Sequence, residues 1–196
     1  MRTRVQRASP LSADRRREMI IDSVIPLLVG HGRQVTTKQI AESAGVAEGT
    51  IFRAFGDKES LVKAAIEKRL DPTELQQSLA DIDPALPLER KVHRIVEVMQ
   101  RRFHEVFAFM AAVGEVGRPP ASNSRQELTT LIERVLRPDL ERLNLPPARA
   151  AQFIRLVTLA SSIPHSSTVE TFDAHDLSAL ILSGISGHPG QSPTQH

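Results

Sequence analysis

The chain has 196 residues, of which 40% are hydrophobic, so it is long and apolar enough to fold as one or two packed domains rather than remain disordered. It contains no cysteine, which excludes disulfides, thiolate metal sites and cysteine nucleophiles. The net charge is only +2. No run of about 18 apolar residues occurs, so no membrane span is expected. The basic N-terminus lacks the apolar region of a secretory signal, which together with the absence of cysteine favours a cytoplasmic protein.

Apolar residues recur at spacings of three and four along almost the whole chain, and no hairpin signal joins alternating strands. This pattern predicts an all-α fold. We expect residues 1–11 to form a flexible basic arm and residues 187–196 a disordered tail. Between them, a first helix should begin after Ser12, a suitable N-cap, and end near residues 30–32.

Two short helices separated by a glycine are predicted within residues 36–55. Thr36 and Gln39 form a capping-box pattern at the start of the first, and Gly45 can adopt the left-handed conformation that ends it. Ala41 is small enough to let the helices approach closely, and four apolar side chains lock the pair, namely Ile40, Val46, Ile51 and Phe55. This spacing favours a helix-turn-helix, whose second helix contacts base edges in a DNA groove, over an ordinary corner of packed helices.

Prolines and one acidic cap divide the remainder of the chain. Asp57 is a suitable N-cap for a helix that ends near residues 70–72, and a loop is expected around Pro84 and Pro87. Further helices are predicted over residues 88–113, from about residue 124 to Pro138, from Pro146 and Pro147 to Pro164, and over residues 173–185.

The charges are unevenly distributed along the chain. Residues 1–70 carry 13 Lys and Arg against 8 Asp and Glu, a net charge of +5, whereas residues 71–196 carry 12 against 15, a net charge of −3. A basic first part indicates contact with a polyanion. Arg2, Arg4 and Arg7 of the arm are candidates for phosphate or minor-groove contacts, with a merely solubilising tail as the alternative. The run Arg15, Arg16 and Arg17 is more typical of a solvated helix face.

Residues 36–61 read TTKQIAESAGVAEGTIFRAFGDKESL. The order and spacing of several residues in this segment resemble the DNA-binding segment of TetR-type (tetracycline-repressor-like) regulators, namely Ile40, Ala41, Ala44, Gly45, Val46, Gly49, Thr50, Ile51, Phe55, Lys58 and Leu61. The resemblance covers about residues 12–70. It implies an N-terminal three-helix helix-turn-helix DNA-binding domain over residues 12–56 and a C-terminal helical ligand-binding and dimerisation domain over residues 57–186.

The resemblance also implies a DNA-binding site, which comprises Thr37, Lys38, Glu48, Gly49, Thr50, Phe52, Arg53 and Lys58. Thr37, Lys38, Thr50 and Lys58 correspond to positions that contact phosphates or the groove. Arg53 can pair with guanine and Glu48 can accept a hydrogen bond from cytosine, so these two are expected to read the sequence. Phe52 and Ala54 replace the usual Tyr and His, a loss of polar contacts that the arm would offset. The same loss leaves open an alternative, a helical adaptor whose helix-turn-helix binds protein.

Two further sites are implied in the C-terminal domain. Candidates for the lining of a ligand pocket are Met99, Phe103, Phe107, Met110 and Phe153, although these side chains would equally suit a plain packed core. Candidates for a dimer interface are Ala160, Ser161, Leu177, Leu180, Ile181 and Gly184, with packing inside one subunit as the alternative.

These features together predict a function. The chain is expected to be a ligand-responsive transcriptional regulator, a repressor that binds a near-palindromic double-stranded DNA operator as a homodimer and is released by a small apolar effector. No nucleophile elbow, phosphate-binding loop or dinucleotide fingerprint occurs, so no enzyme and no cofactor are expected. His93 and Glu97 could share a metal ion, but such a pair is more often surface electrostatics, so no metal is predicted.

Overall fold

The computed structural model describes residues 12–114, 124–164 and 172–186. The predicted arm with Arg2, Arg4 and Arg7, and the predicted tail, lie outside these residues. Within them, every regular element is a helix, and the only other pairing is a single antiparallel bridge between Leu143 and Ser186. The all-α prediction is therefore confirmed. None of the described helices is both long enough and apolar enough to span a membrane.

The described residues form nine α-helices and two short 3-10 segments. The α-helices are α1 Ala13–His31, α2 Thr37–Ala44, α3 Glu48–Phe55, α4 Lys58–Arg69, α5 Thr73–Ala80, α6 Leu88–Ala112, α7 Ser124–Leu136, α8 Pro147–Ser162 and α9 Ala174–Ile185. The 3-10 segments are Gly32–Gln34, after α1, and Arg137–Arg142, after α7.

The capping residues act as the sequence predicts. The Ser12 hydroxyl accepts from the Arg15 backbone N–H at 3.3 Å, and Asp57 accepts from the Ser60 backbone N–H at 2.7 Å. At α2 the capping box is complete, because Gln39 N–H donates to the Thr36 hydroxyl while the Gln39 side chain accepts from Thr36 N–H. Helices α1, α2 and α4 thus each have a side-chain cap at their N-terminus, whereas α3 has none.

Helix α5 was not predicted. Sequence patterning indicated no helix between residue 72 and the loop at Pro84. The helix has only eight residues, and its buried side consists of Leu75 and Leu79 alone. One apolar pair at a spacing of four is too short a pattern to reveal a helix.

The chain divides into two compact units. Among the described residues, unit 1 comprises residues 12–70 and 109–114, and unit 2 comprises the remainder. The core of unit 1 includes Ile20, Val24, Leu28, Ile40, Ile51, Leu61, Phe109 and Val113. This division differs from the predicted boundary after Gly56, because α4 packs Leu61, Val62 and Ala65 into the core of unit 1.

Residues 109–114 contact the rest of unit 1 at the two residues that follow α1, Gly32 and Arg33. Gly32 has φ +57°, and a Cβ there would lie 2.6 Å from the Ala112 carbonyl oxygen. Arg33 Nε donates to the Val113 carbonyl at 2.9 Å, and Arg33 also forms an ion pair with Glu59 at 2.8 Å. A residue other than glycine at position 32 would therefore displace this segment.

Unit 2 is built on α6. Its core joins the inner sides of five helices and includes Leu75 and Leu79 of α5, Val92, Ile95 and Met99 of α6, Ile132 and Val135 of α7, Ile154 of α8, and Leu177, Ile181 and Ile185 of α9. Lys91, only 1% exposed, forms an ion pair at 2.5 Å with Asp139 of the second 3-10 segment. A buried ammonium needs such a partner, so this pair fixes the start of α6 to that segment.

Candidate nucleic-acid interface

The turn between α2 and α3 has the geometry of a helix-turn-helix. Gly45 has φ 65° and ψ 33°, the left-handed conformation that was predicted for it. Its N–H and that of Val46 donate back to the last turn of α2, the latter to Ala41 at 3.0 Å. Ile40 and Ile51 are fully buried between the helices and Ala41 nearly so, which locks the angle of the pair.

The outward side of α3 is solvent-exposed. Glu48, Gly49, Phe52 and Arg53 are all exposed, and we call these four residues the α3 face. Phe52 is 49% exposed, a large fraction for a phenylalanine, while Ile51 on the opposite side is buried. Lys38 of α2 is also exposed, whereas Thr37 and Thr50 are half-buried. The side chains predicted to meet DNA are therefore accessible, and a helix of this diameter fits the major groove.

The first turn of α3 is held by a side-chain hydrogen bond from α2. The Thr37 hydroxyl donates to the Glu48 carboxylate, with 3.1 Å between the two oxygens. Ala47 provides no side-chain cap, so Glu48 is the acidic group nearest the positive end of this helix. The bond orients the carboxylate but leaves it further lone pairs for an amino group of a base.

The last turn of α3 is held by a residue for which no such role was predicted. The Arg17 guanidinium lies over the Phe55 ring, 4.3 Å from its centroid, and donates to the Ala54 carbonyl. Arg17 was predicted to belong to a solvated face. Its partners are 37 or more residues away in the chain, so no local pattern could have indicated the contact.

Lys58, the predicted DNA-binding residue at the start of α4, makes hydrogen bonds within the protein. The Lys58 ammonium donates to the carbonyls of Arg33 at 3.0 Å and Val35 at 3.3 Å. Hydrogen bonds from the Ser60 backbone N–H and, secondly, from its hydroxyl lower the pKa of Asp57 below its ordinary value of 3.8. The two hydrogen bonds from the Lys58 ammonium to the carbonyls of Arg33 and Val35 fix the segment before α2, in addition to any contact of Lys58 with DNA.

The predicted pocket residues do not share one location. Met99 is fully buried in the core of unit 2, where Phe103 packs partly buried against it. Phe107 is half-buried in unit 2, whereas Met110 belongs to unit 1. Phe153 is 39% exposed on α8, and its ring lies 3.7 Å from the position that a Cβ of Gly184 would take.

The predicted dimer residues divide into a buried and an exposed set. Leu177 and Ile181 are at most 3% exposed and belong to the core of their own unit, so the intramolecular alternative describes them. Ser161 is half-buried. Exposed residues of these helices include polar ones, such as Gln152 and Asp176, and an apolar group. We call this apolar group the α8–α9 face, namely Phe153, Leu156, Ala160, Leu180 and Gly184.

In the arrangement of α1 to α4, the capped helix α2 is followed by a turn at the left-handed Gly45 and then by the exposed helix α3. This arrangement is that of a helix-turn-helix DNA-binding domain. The sequence profile described as "Bacterial regulatory proteins, tetR family" matches residues 20–65. TtgW of Pseudomonas putida, an uncharacterized HTH-type transcriptional regulator, is 31% identical over 99 residues, which cover 50% of this chain and 70% of TtgW. The chain belongs to the TetR family of transcriptional regulators, and its first part contains a helix-turn-helix.

Other similarities agree with this assignment. YvkB of Bacillus subtilis (strain 168), also an uncharacterized HTH-type transcriptional regulator, is 37% identical over 113 residues. That match covers 53% of this chain but only 59% of YvkB, less than two thirds of its length. The structure of SmeT, the repressor of the Stenotrophomonas maltophilia multidrug efflux pump SmeDEF, superposes with a TM-score of 0.53 at 22% identity, covering 92% of this chain and 96% of SmeT. SmeT has also been solved in complex with triclosan, with a TM-score of 0.52 at 21% identity, covering 93% of this chain and 99% of that one.

The family and these relatives are transcriptional regulators, not enzymes. Among the described residues, no three His, Cys, Asp or Glu side chains are grouped so as to hold a metal ion.

Proposed function

We propose that this regulator is a repressor that occupies a near-palindromic operator as a homodimer and is released by a small apolar effector. The observation that carries the proposal is the exposed α3 face, which combines a guanidinium, a carboxylate and an aromatic ring on a helix locked by Gly45. Charged and apolar groups on an accessible helix can read base edges directly in the major groove.

Each residue of the predicted DNA-binding site has a role in this proposal. Arg53 pairs with guanine, Glu48 accepts from cytosine, and Phe52 packs on a sugar or a thymine methyl group, close to the backbone at Gly49. Phosphates are contacted by Lys38, Thr50 and Lys58, and by Thr37 through its backbone N–H at the start of α2, because the hydroxyl proton of Thr37 is donated to Glu48. An ammonium has three protons, so Lys58 retains one for a phosphate beside its two carbonyl partners.

The α8–α9 face supports the homodimer. Leu180 is 56% exposed and Leu156 is 45% exposed, beside the ring of Phe153 and the bare backbone of Gly184. Apolar residues grouped on neighbouring helices are typical of protein–protein interfaces, and a two-fold pair would bury this group against its own copy. The dimer would carry two copies of α3, so its half-sites should lie one helical turn or a multiple apart.

The effector is proposed to bind in unit 2. Met99 and Phe103 offer polarisable and aromatic contacts there, and the neighbour SmeT has been solved with triclosan bound. An effector releases the operator only if it binds the DNA-free conformation better than the DNA-bound one. Differential affinity of this kind shifts the population of dimers off the operator.

The test is selection of binding sites from random duplex DNA by the full chain, followed by a screen of small apolar compounds for release. We expect a near-palindromic sequence to be enriched, with an affinity that falls steeply as salt rises. Lys63 is an exposed lysine of α4 outside the α3 face. The variant Lys63→Ala should therefore select the same sequence as the wild-type chain, which controls for a general loss of positive charge. If no sequence is enriched and duplex DNA is not bound in a salt-dependent way, the proposal that the chain binds an operator is refuted. If a site is selected but no compound displaces the protein from it, the proposal of release by an apolar effector is refuted.

A further inference from the structure

The recognition helix depends on its neighbours for its orientation. Helix α3 has eight residues, about two turns, and it lacks a side-chain N-cap. Helices this short are marginal alone, because too few hydrogen bonds offset the cost of nucleation, so tertiary contacts determine their position. Two such contacts come from charged or polar side chains, one at each end of α3.

The contact at the end of α3 is made by Arg17 of α1. Its guanidinium stacks on the Phe55 ring and at the same time donates to the Ala54 carbonyl. A planar guanidinium can make both contacts at once, since its face meets the ring while its edge carries the donors. A lysine ammonium keeps the charge at this position but cannot reproduce that geometry.

Ala54 and Phe55 directly follow Phe52 and Arg53 of the α3 face. A shift of the last turn would therefore move these two side chains, whereas Glu48 at the other end is held by Thr37. We propose that Arg17 is a positioning residue that fixes the last turn of α3 and so determines how well Arg53 and Phe52 discriminate between bases. This inference rests on the proposed reading of DNA by the α3 face.

The competing role for Arg17 is a direct phosphate contact. Arg17 is exposed, as is its near neighbour Arg15, so charge alone does not separate the two roles. Salt dependence separates the two roles. Each phosphate contact that is lost reduces the magnitude of the negative slope of log affinity against log salt by about 0.9. A positioning role leaves that slope and the affinity for random DNA unchanged.

The experiment compares Arg17→Lys, Arg17→Gln and the control Arg15→Lys in the full chain. Affinity is measured for the selected operator, for operators with single base changes and for random duplex DNA, at several salt concentrations and at a temperature where circular dichroism shows each variant folded. We expect Arg17→Lys and Arg17→Gln to weaken operator binding about fivefold and to relax discrimination at the bases opposite Arg53 but not at those opposite Glu48. Loss of stability alone would instead lower specific and random binding together.

Phe55→Leu provides a second and independent test, since it removes the ring but keeps an apolar side chain. It should relax the same base positions, and adding it to Arg17→Lys should cause little further loss, because the two residues act through one contact. Operator affinity and base discrimination equal to wild type in Arg17→Lys would overturn the inference while leaving the operator itself intact. A salt slope that is smaller in Arg17→Gln but equal to wild type in Arg17→Lys would show that Arg17 contacts a phosphate. A wild-type chain that selects no sequence would overturn both the proposed function and the positioning role of Arg17.

Discussion

The α3 face and the α8–α9 face are both exposed sides of helices whose opposite sides are buried, yet their chemistry is opposite. The α3 face presents Glu48 and Arg53 around a single aromatic ring. The α8–α9 face presents Phe153, Leu156 and Leu180 beside small residues. Charged groups can exchange water for phosphates and base edges, whereas clustered leucines gain free energy only when another apolar surface covers them. The two faces are therefore suited to different kinds of partner, and substitutions on one should spare the function of the other.

The largest effect is expected from a charge on the α8–α9 face. Leu180→Glu would occur twice in a two-fold interface, where each copy loses about 1.5–3 kcal/mol of apolar burial and adds a buried carboxylate, so the dimer should weaken at least about a hundredfold. Sedimentation or light scattering at several protein concentrations measures this. Leu140→Glu is the matched control, because Leu140 is 51% exposed but lies in the 3-10 segment outside α8 and α9. Equal self-association of both variants would show that the α8–α9 face is not the interface.

A smaller effect is expected from Arg53→Ala on the α3 face. Loss of a bidentate contact with guanine should cost about 1–3 kcal/mol of operator affinity and relax the preference at one base position in each half-site. Random duplex DNA should be bound almost as before, and the oligomeric state should not change. Competition titrations with single-base operator variants provide the measurement. A uniform loss across all sequences would reassign Arg53 from base reading to the phosphate backbone.

Lys38→Ala should have a still smaller and less selective effect. Lys38 is exposed at the start of α2, where a lysine would contact phosphate, so its loss should weaken binding to every duplex alike and reduce the salt slope by about 0.9 per subunit. Affinity measured from low to moderate salt, with Lys63→Ala as the equal charge change elsewhere in unit 1, tests this. If both lysines lower the slope equally, the basic charge of unit 1 acts as a whole and not through α2.

The two faces also differ in how far the sequence predicted them. The α3 face follows from local signals, since Thr36, Gln39 and Gly45 act on residues within one or two turns and the structure confirms each of these roles. Phe52 and Arg53 then fall on the outer side simply because Ile51 and Phe55 point inward. Arg17 could not be assigned in this way, because its contact with Phe55 exists only after α1 and α3 have packed.

The α8–α9 face was harder to predict for a physical reason. Helix α9 has apolar residues on almost every side, so periodicity could not separate Leu177 and Ile181, which enter the core, from Leu180, which does not. Phe153 was predicted to line a pocket, and its aromatic side chain suits a pocket and an interface equally. The close approach of Gly32 to Ala112 was likewise unpredictable, because the two residues are far apart in the chain and meet only in the folded unit.

The smallest effect is expected from acid at the junction that follows α3, and it has no counterpart on the α8–α9 face, whose named residues do not titrate. Asp57 has its pKa held below 3.8 by hydrogen bonds that favour the ionised carboxylate. Its folded pKa is lower than its unfolded one, so its contribution to stability is complete above the unfolded value and is lost as pH falls through the folded value. Asp57→Asn keeps a capping oxygen but does not titrate. Urea unfolding from pH 7 to about pH 2.5 should therefore show a shallower acid decline in Asp57→Asn than in wild type, while the two differ little near pH 7. Parallel acid profiles would mean that the cap at α4 does not depend on the charge of Asp57.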